Sequence, residues 1–227
     1  MPQLAPTDWQ PVPSPSRAPL MGQYVQLEPL APARHGEDLW KALQGSGDPA
    51  LWDYLPYGPF NERSVFDTWL GDCATSSDPL FFAVIDRRHR RAVGLLSFLR
   101  ITPAHGCIEI GHVIFGPSLQ RSPASTEAVF LLARLALGEL GYRRLEWKCN
   151  SDNTRSMRAA TRLGFSYEGL FRQHMLVKGR NRDTAWFSIL DSEWPACNRA
   201  FERWLAADNF DAEGRQKQSL QTLREQP

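Results

Sequence analysis

Residues 141–165 constrain this chain more than any other stretch, because a strand pattern passes directly into a helix pattern with polar residues at the junction. Leu145, Trp147 and Cys149 alternate with Arg144, Glu146 and Lys148, the period of two that gives a strand two distinct faces. Asp152 or Asn153 then caps a helix that ends at Leu163-Gly164-Phe165. A polar junction of this kind is a place where a ligand binds.

The rest of the chain supplies partners for that unit. Residues 23–30 read as a strand, residues 34–43 as a helix with Leu39, Trp40 and Leu43 on its apolar side, and residues 51–60 as an aromatic loop interrupted by proline. Asn61 is the expected cap of a helix carrying Val65, Phe66, Trp69 and Leu70 inward. Residues 80–86 and 92–101 form a predicted hairpin about a basic turn, and residues 107–115 a third strand that stops at Gly116-Pro117. Pro123 opens a long apolar helix through Leu140, since its missing N–H costs nothing at a first helical position. Strands at 167–177 and 183–190 follow, and Ser192 is the expected cap of a last helix with Trp194, Phe201, Trp204 and Leu205. Strands interrupted by two crossover helices, with hairpins at both ends, imply an α/β sandwich around a mixed sheet.

The chain of 227 residues suits one domain, expected over residues 23–208. Residues 1–22 hold six prolines and read as an extended arm that wraps the surface, and residues 209–227 as a polar tail. A net charge of +1 offers no field for nucleic acid or an anionic membrane. Cys73, Cys107, Cys149 and Cys197 are far apart, which argues against a disulfide scaffold or a metal site and for reduced thiols in a cytoplasmic protein. No charged leader with an apolar core and no apolar run of ~20 residues is present.

Residues 141–165, taken with the run Gln120-Arg121-Ser122-Pro123-Ala124-Ser125-Thr126-Glu127, resemble the GNAT family of acyl-CoA-dependent N-acetyltransferases, in particular its RimJ/RimL ribosomal-protein N-terminal branch. The order of elements over residues 22–192 matches that family. The resemblance implies a mostly antiparallel sheet with helices on both faces, a V-shaped cleft for acyl-CoA, and acetyl-CoA as co-substrate without a metal. Gln120, Arg121, Ser122, Ala124, Ser125 and Thr126 would then hold the pyrophosphate at a helix N-terminus, where backbone donors and the helix dipole favour anions. Pro123 and Ser125 depart from the family's glycine-rich pattern, and the bare alternative is a proline-started helix with no ligand.

By the same resemblance Asn153 would bond the pantetheine arm and Ser156 would protonate the departing thiolate, with Ala160 standing where many members carry tyrosine. Each also has a plainer use, Asn153 as a helix cap and Ser156 as a polar helical residue. Glu109 is the expected general base, on the same face of its strand as Gly111 and Val113, with His112 the competing base on the other face. A cross-strand ion pair of Glu109 with Arg100 is the alternative. Backbone N–H groups of Val113, Ile114 and Phe115 would serve the thioester oxygen, as the resemblance implies. Trp52, Tyr54 and Tyr57 with Asp53, and the hairpin around residues 171–174, with Arg172, and residues 180–183, are candidates for the acceptor, unless those aromatics only anchor a surface loop.

The expected activity is acetyl transfer from acetyl-CoA to a primary amine, a protein N-terminus or a small molecule, by direct attack in a ternary complex. A GNAT-like module that binds acyl-CoA without turnover is the alternative. Either a monomer or a homodimer suits both.

Overall fold

The computed structural model describes residues 9–44 and 49–226; residues 1–8 of the expected arm, residues 45–48, and Pro227 of the expected tail lie outside the described residues. Eight strands form one sheet: β1 Leu20–Met21, β2 Val25–Pro29, β3 Leu80–Asp86, β4 Arg91–Thr102, β5 Cys107–Phe115, β6 Arg144–Asn150, β7 Ser166–Val177 and β8 Arg180–Leu190. Their order across the sheet is β1-β2-β3-β4-β5-β6-β8-β7. Neighbours are antiparallel except β5 and β6, which run parallel. Parallel neighbours require a crossover. Here it is helix α3, Pro123–Ala133, continued by a π-helical segment Arg134–Glu139.

Helices α1 (Pro32–Leu43) and α2 (Arg63–Thr75) lie on one face of the sheet, and α3, α4 (Thr154–Leu163), α5 (Trp194–Leu205) and α6 (Leu220–Arg224) on the other. Burial follows that division. Phe82, Phe98, Ile110, Leu145 and Phe187 pack with α3 to α6, whereas Phe81, Leu95 and Ile114 pack with Leu39, Phe66 and Leu70 of α1 and α2. Strand β3 faces both layers, so consecutive residues Leu80 to Val84 are all buried.

Strand β5 does not keep one alternation along its length. Ser97 pairs with Gly111 but Leu95 pairs with Ile114, so His112 and Val113 together stand opposite the single residue Leu96. This is a β-bulge, and His112 takes a left-handed φ of 50° within it. Beyond the bulge the faces exchange: Ile108 and Ile110 belong to the α3 layer, Ile114 to the α1 layer. Val113 therefore does not share the face of Glu109, contrary to the expected period of two; it packs against the α3 layer.

Two expected helix caps are corrected. The residue before α2 is Glu62 rather than Asn61, and the residue before α5 is Glu193 rather than Ser192, and neither makes a side-chain cap bond. The segment after Asn209, polar in composition, is folded: Phe210 bridges Gln216, and α6 buries Leu220 and Leu223 in the α3 layer. Ser219 caps α6 by accepting the Thr222 N–H at 3.0 Å. Arg224 then donates to the Arg162 carbonyl at 3.2 Å, at the end of α4.

The proline-rich segment runs over the surface, where Trp9 donates its indole N–H to the Ala104 carbonyl at 2.9 Å and β1 adds to the sheet beside β2. The turn between β1 and β2 is fastened from below. Buried Glu127 of α3 accepts the backbone N–H groups of Gln23, Tyr24 and Val25 at 2.6, 2.7 and 2.8 Å, which leaves no charge-bearing oxygen of that carboxylate without a donor. No described helix is long and apolar enough to cross a membrane.

Candidate active site

The parallel pairing of β5 with β6 runs from Cys107–Arg144 to Ile110–Trp147 and stops there. Both strands continue, to Phe115 and Asn150, so they diverge and leave facing backbone groups outside the sheet's ladder. A cavity of about 1120 Å³ opens in this gap, lined by residues 109–115 of β5 and 147–150 of β6 and reaching both faces of the sheet. That exceeds the ~300–1,000 Å³ of ordinary small-ligand pockets and suits an elongated ligand with a second one beside it. Seven Lys and Arg side chains line it against three Asp and Glu, so its field favours an anion.

On the α3 side the wall is built from helix starts. Ser122 caps α3, its Oγ accepting the Ser125 N–H at 3.2 Å and donating to the Leu119 carbonyl at 2.5 Å, and Pro123 follows at the first helical position. Arg121 has a left-handed φ of 55°, and the backbone N–H groups of Arg121, Ser122 and Ala124 meet no acceptor among the described residues. The Gln120 side chain turns back to donate to the Phe115 carbonyl at 2.8 Å and so ties this loop to the open end of β5. Gln120, Arg121, Ser122, Ser125 and Thr126 line the cavity. Ala124 does not: its methyl packs toward the core, and only its backbone N–H remains for a ligand.

Asn153 caps α4 by accepting the Ser156 N–H at 3.0 Å while also lining the cavity. Its place and the cap are compatible, since the amide nitrogen is left over. Ser156 accepts the indole N–H of Trp147 at 3.0 Å. That bond occupies a lone pair of Oγ and leaves its own proton to be donated elsewhere. Ala160 is wholly buried and forms no part of the cavity wall.

Further out, Arg121, Arg155, Arg158 and Arg162 form the basic rim of this side. Arg162 donates to Thr126 Oγ1 at 3.0 Å and lies 4.8 Å from the ring centre of Trp204, whose indole N–H reaches Gln216 at 2.8 Å. Trp204, Phe210, Gly214 and Gln216 thereby complete the wall. Sequence reading missed this contribution because the segment looks like a tail; the apolar pair Leu220 and Leu223 behind a Ser cap was the available signal.

The opposite face of the gap is an ionic network. Glu109 is buried, with Lys148 Nζ at 2.9 Å and Arg100 Nε at 3.0 Å from the same carboxylate oxygen. Burial pushes its carboxyl above the usual range, and the two cations counteract this only in part. The ion pair with Arg100, the alternative to a base, is present, and Glu109 also lines the cavity. His112 also lines the cavity, but its Nδ1 lies 2.7 Å from the Tyr57 hydroxyl and its ring stacks on that of Tyr57. Burial, with the charge of Arg182, holds its pKa down at about 4, so the ring is neutral near pH 7.

Of the acceptor candidates, Asp53 and Tyr54 line the cavity mouth. Tyr54 donates to the Asp152 carbonyl at 3.2 Å and Lys178 to the Trp52 carbonyl at 2.8 Å, so the aromatic loop is tied both to the start of α4 and to the β7–β8 turn. Trp52 itself is corrected: it is fully buried, ringed edge-on by Tyr57, Phe60 and Trp69, because an indole of that size is the natural anchor for a loop over the α1–α2 layer. Arg172 is corrected too. It points outward from β7 and does not reach the cavity. Among the described residues no group of three or more His, Cys, Asp and Glu side chains has the geometry of a metal site.

A parallel strand pair that diverges beside two capped helix starts, with a basic rim on one face and a buried carboxylate on the other, defines a transferase cleft for an elongated anionic donor. Residues 25–166 match the acetyltransferase (GNAT) domain model, and the chain belongs to the GNAT family of acetyltransferases, which use acetyl-CoA. A GCN5-related N-acetyltransferase from Brucella melitensis is 49% identical, with a TM-score of 0.95 over 96% of this chain and 99% of that one. A protein from Chromobacterium violaceum, described as a probable acetyltransferase of the GNAT family, is 44% identical with a TM-score of 0.78 over 86% of this chain and 100% of its own. An uncharacterized N-acetyltransferase, p20, from Bacillus licheniformis is 28% identical over 70% of this chain and 90% of the relative. The protein is an acyltransferase enzyme of this family.

Proposed function

We propose that the enzyme transfers the acetyl group of acetyl-CoA to a primary amine, on a small molecule or a protein N-terminus, by direct attack in a ternary complex. The observation that carries this reading is the parting of β5 from β6 after Ile110 and Trp147, which connects the two faces of the sheet. Glu109 lies on one face and Ser156 on the other, so a thioester seated in the gap meets the base from one side and the acid from the other.

Acetyl-CoA supplies an activated acyl group whose leaving thiol, with a pKa of ~8.5, departs easily. The unpaired N–H groups of Arg121, Ser122 and Ala124, with the arginine rim, fit its phosphates. Asn153 is placed to bond its arm. Glu109, raised by burial, takes a proton from the incoming ammonium directly or through water, freeing the nitrogen lone pair. As the new C–N bond forms, backbone N–H groups over Val113, Ile114 and Phe115 receive the negative charge growing on the acyl oxygen. The C–S bond then breaks, the sulfur takes its proton from Ser156, whose hydroxyl Trp147 has oriented, and the second proton shed by the nitrogen as the amide forms is returned to Ser156 through solvent.

A covalent acetyl-cysteine route has little support. Burial pushes the thiols of Cys107 and Cys149 up, so both stay protonated and weakly nucleophilic at neutral pH. Calorimetric titration with acetyl-CoA, using CoA and ATP as comparisons, followed by thiol release with an amine panel, tests the proposal. Micromolar acetyl-CoA binding, much weaker ATP binding and amine-dependent thiol release are expected; no detectable acetyl-CoA binding would refute it.

A further inference from the structure

The charges on the acceptor face of the gap form an alternating chain. Glu168 pairs with Arg144 at 2.5 Å, Arg144 with Glu146 at 2.8 Å, Glu146 with Lys148 at 2.7 Å, Lys148 with Glu109 at 2.9 Å and Glu109 with Arg100 at 3.0 Å. Three carboxylates meet three cations, and the chain is balanced within itself. Arg182 is the cavity-lining cation left over on this face. Its guanidinium lines the cavity from β8, is half-buried, and makes no ion pair or side-chain hydrogen bond among the described residues; its Nε is wholly removed from solvent without a partner.

A guanidinium with five donors is seldom left unpaired where water is scarce, because the desolvated donors lose their hydration without replacement. The surroundings register the excess charge. The pKa of His174, beside Arg182 on the neighbouring strand, is lowered by burial and then by Arg100, Arg182 and Lys148, and that of His112 by burial and then by Arg182. The acceptor face therefore holds a positive field around a group shaped for planar, two-oxygen recognition. Glu109, the carboxylate suited to the amine, lies close enough to interact electrostatically with Arg182. The ties from Tyr54 to Asp152 and from Lys178 to Trp52 narrow the mouth above both.

We infer that the acceptor is a small amine that also carries an anionic group, a carboxylate or a phosphate, seated on Arg182 while Glu109 receives the amine. This rests on the acetyl-transfer reading above and names its substrate class. Arg182 acts as a binding and specificity residue. An amine without the anion leaves the guanidinium unpaired when the mouth is filled, and so is discriminated against.

The test compares matched pairs, ethanolamine with phosphoethanolamine and β-alaninamide with β-alanine, as acceptors for the wild type, Arg182→Gln and Arg182→Lys, with thermal melts to confirm folding. At least one anionic member is expected to exceed its neutral partner tenfold or more in kcat/KM, and which pair responds separates phosphate from carboxylate. In Arg182→Gln the ratio should collapse to within about threefold of unity, with part of it restored in Arg182→Lys and the acetyl-CoA Kd within about twofold of wild type. Neutral partners that match or exceed the anionic ones in both pairs, or a preference that survives Arg182→Gln, would overturn the inference. If acetyl-CoA binds but no amine of either kind is acetylated, the transferase reading fails separately. Titration of phosphoethanolamine and β-alanine into the CoA-bound protein then decides the anion seat: Arg182-dependent binding upholds it and absence of binding overturns it.

Discussion

The two faces of the cleft are made in different ways. On the α3 side, consecutive segments do the work: residues 120–126 and 153–156 present backbone donors and caps at helix starts, and the arginines around them are partly exposed. On the acceptor side almost nothing is consecutive. Arg100, Glu109, Lys148 and Arg182 come from four strands, and the loop that closes over them is anchored by its own indole, buried in the α1–α2 layer. A ligand common to a whole family can be held by backbone, which tolerates substitution. The partner that distinguishes one member from another is read by side chains that only the folded sheet brings together.

That contrast is breakable by experiment, and the largest effect belongs to the acceptor side. Trp52→Ala removes a fully buried indole and should destabilise the fold by ~3–5 kcal/mol in urea denaturation, which would release the loop over the mouth. A loss below about 1 kcal/mol would mean that the loop is not anchored as described.

Chemistry comes next. Glu109→Gln should lower kcat/KM by about 10²–10³ and abolish the rise of activity with pH, since a carboxyl raised by burial is ionised only above its elevated pKa. Ser156→Ala should cost less, about tenfold to a hundredfold in kcat with little change in acetyl-CoA Kd, because a thiolate needs little help to leave. Equal loss of cofactor affinity and turnover in Ser156→Ala would move this residue from acid to ligand.

His112 separates stability from catalysis. Its folded pKa of about 4 lies below the unfolded value near 6.5, so the stability from its neutral form is present above 6.5 and is lost as pH falls toward 4. His112→Asn, which tolerates a positive φ, should flatten the acid side of the stability curve by about 2–3 kcal/mol between pH 7 and 4.5. No inflection of activity between pH 5 and 9 should belong to His112; an inflection lost in this variant would make it the base. The smallest effect is expected at the exposed rim, where Arg158→Ala should weaken acetyl-CoA binding about threefold at low salt and hardly at all at high salt.

Legibility from the sequence followed the same division. Strands β3 and β5, the proline at the start of α3, a cap of α4 at Asp152 or Asn153 and the end of that helix at Gly164 were all readable, because each depends on neighbours in sequence. The splay of β5 from β6 could be expected only through family resemblance, since no local pattern marks where a ladder stops. Trp52 was read as a candidate acceptor contact with anchoring of its aromatic, proline-interrupted loop as the alternative, and nothing local says which of the loop's aromatics turns inward. Arg182 fell within residues 180–183, read as part of the acceptor hairpin, but nothing local singled it out there. Its importance comes from the pairing of the cations and carboxylates on the neighbouring strands, which is a property of the sheet.

One further consequence attaches to the bulge at His112. Strand β5 is written in two phases, and the extra residue is the hinge between them: before it, even-numbered side chains belong to the α3 layer, and after it they belong to the α1 layer. Pairing that absorbed His112 without the bulge would keep every hydrophobic letter of the strand and turn Ile114 into the wrong layer. A comparison of related chains that slips by a single position at His112 would therefore match residues that look alike and face opposite ways.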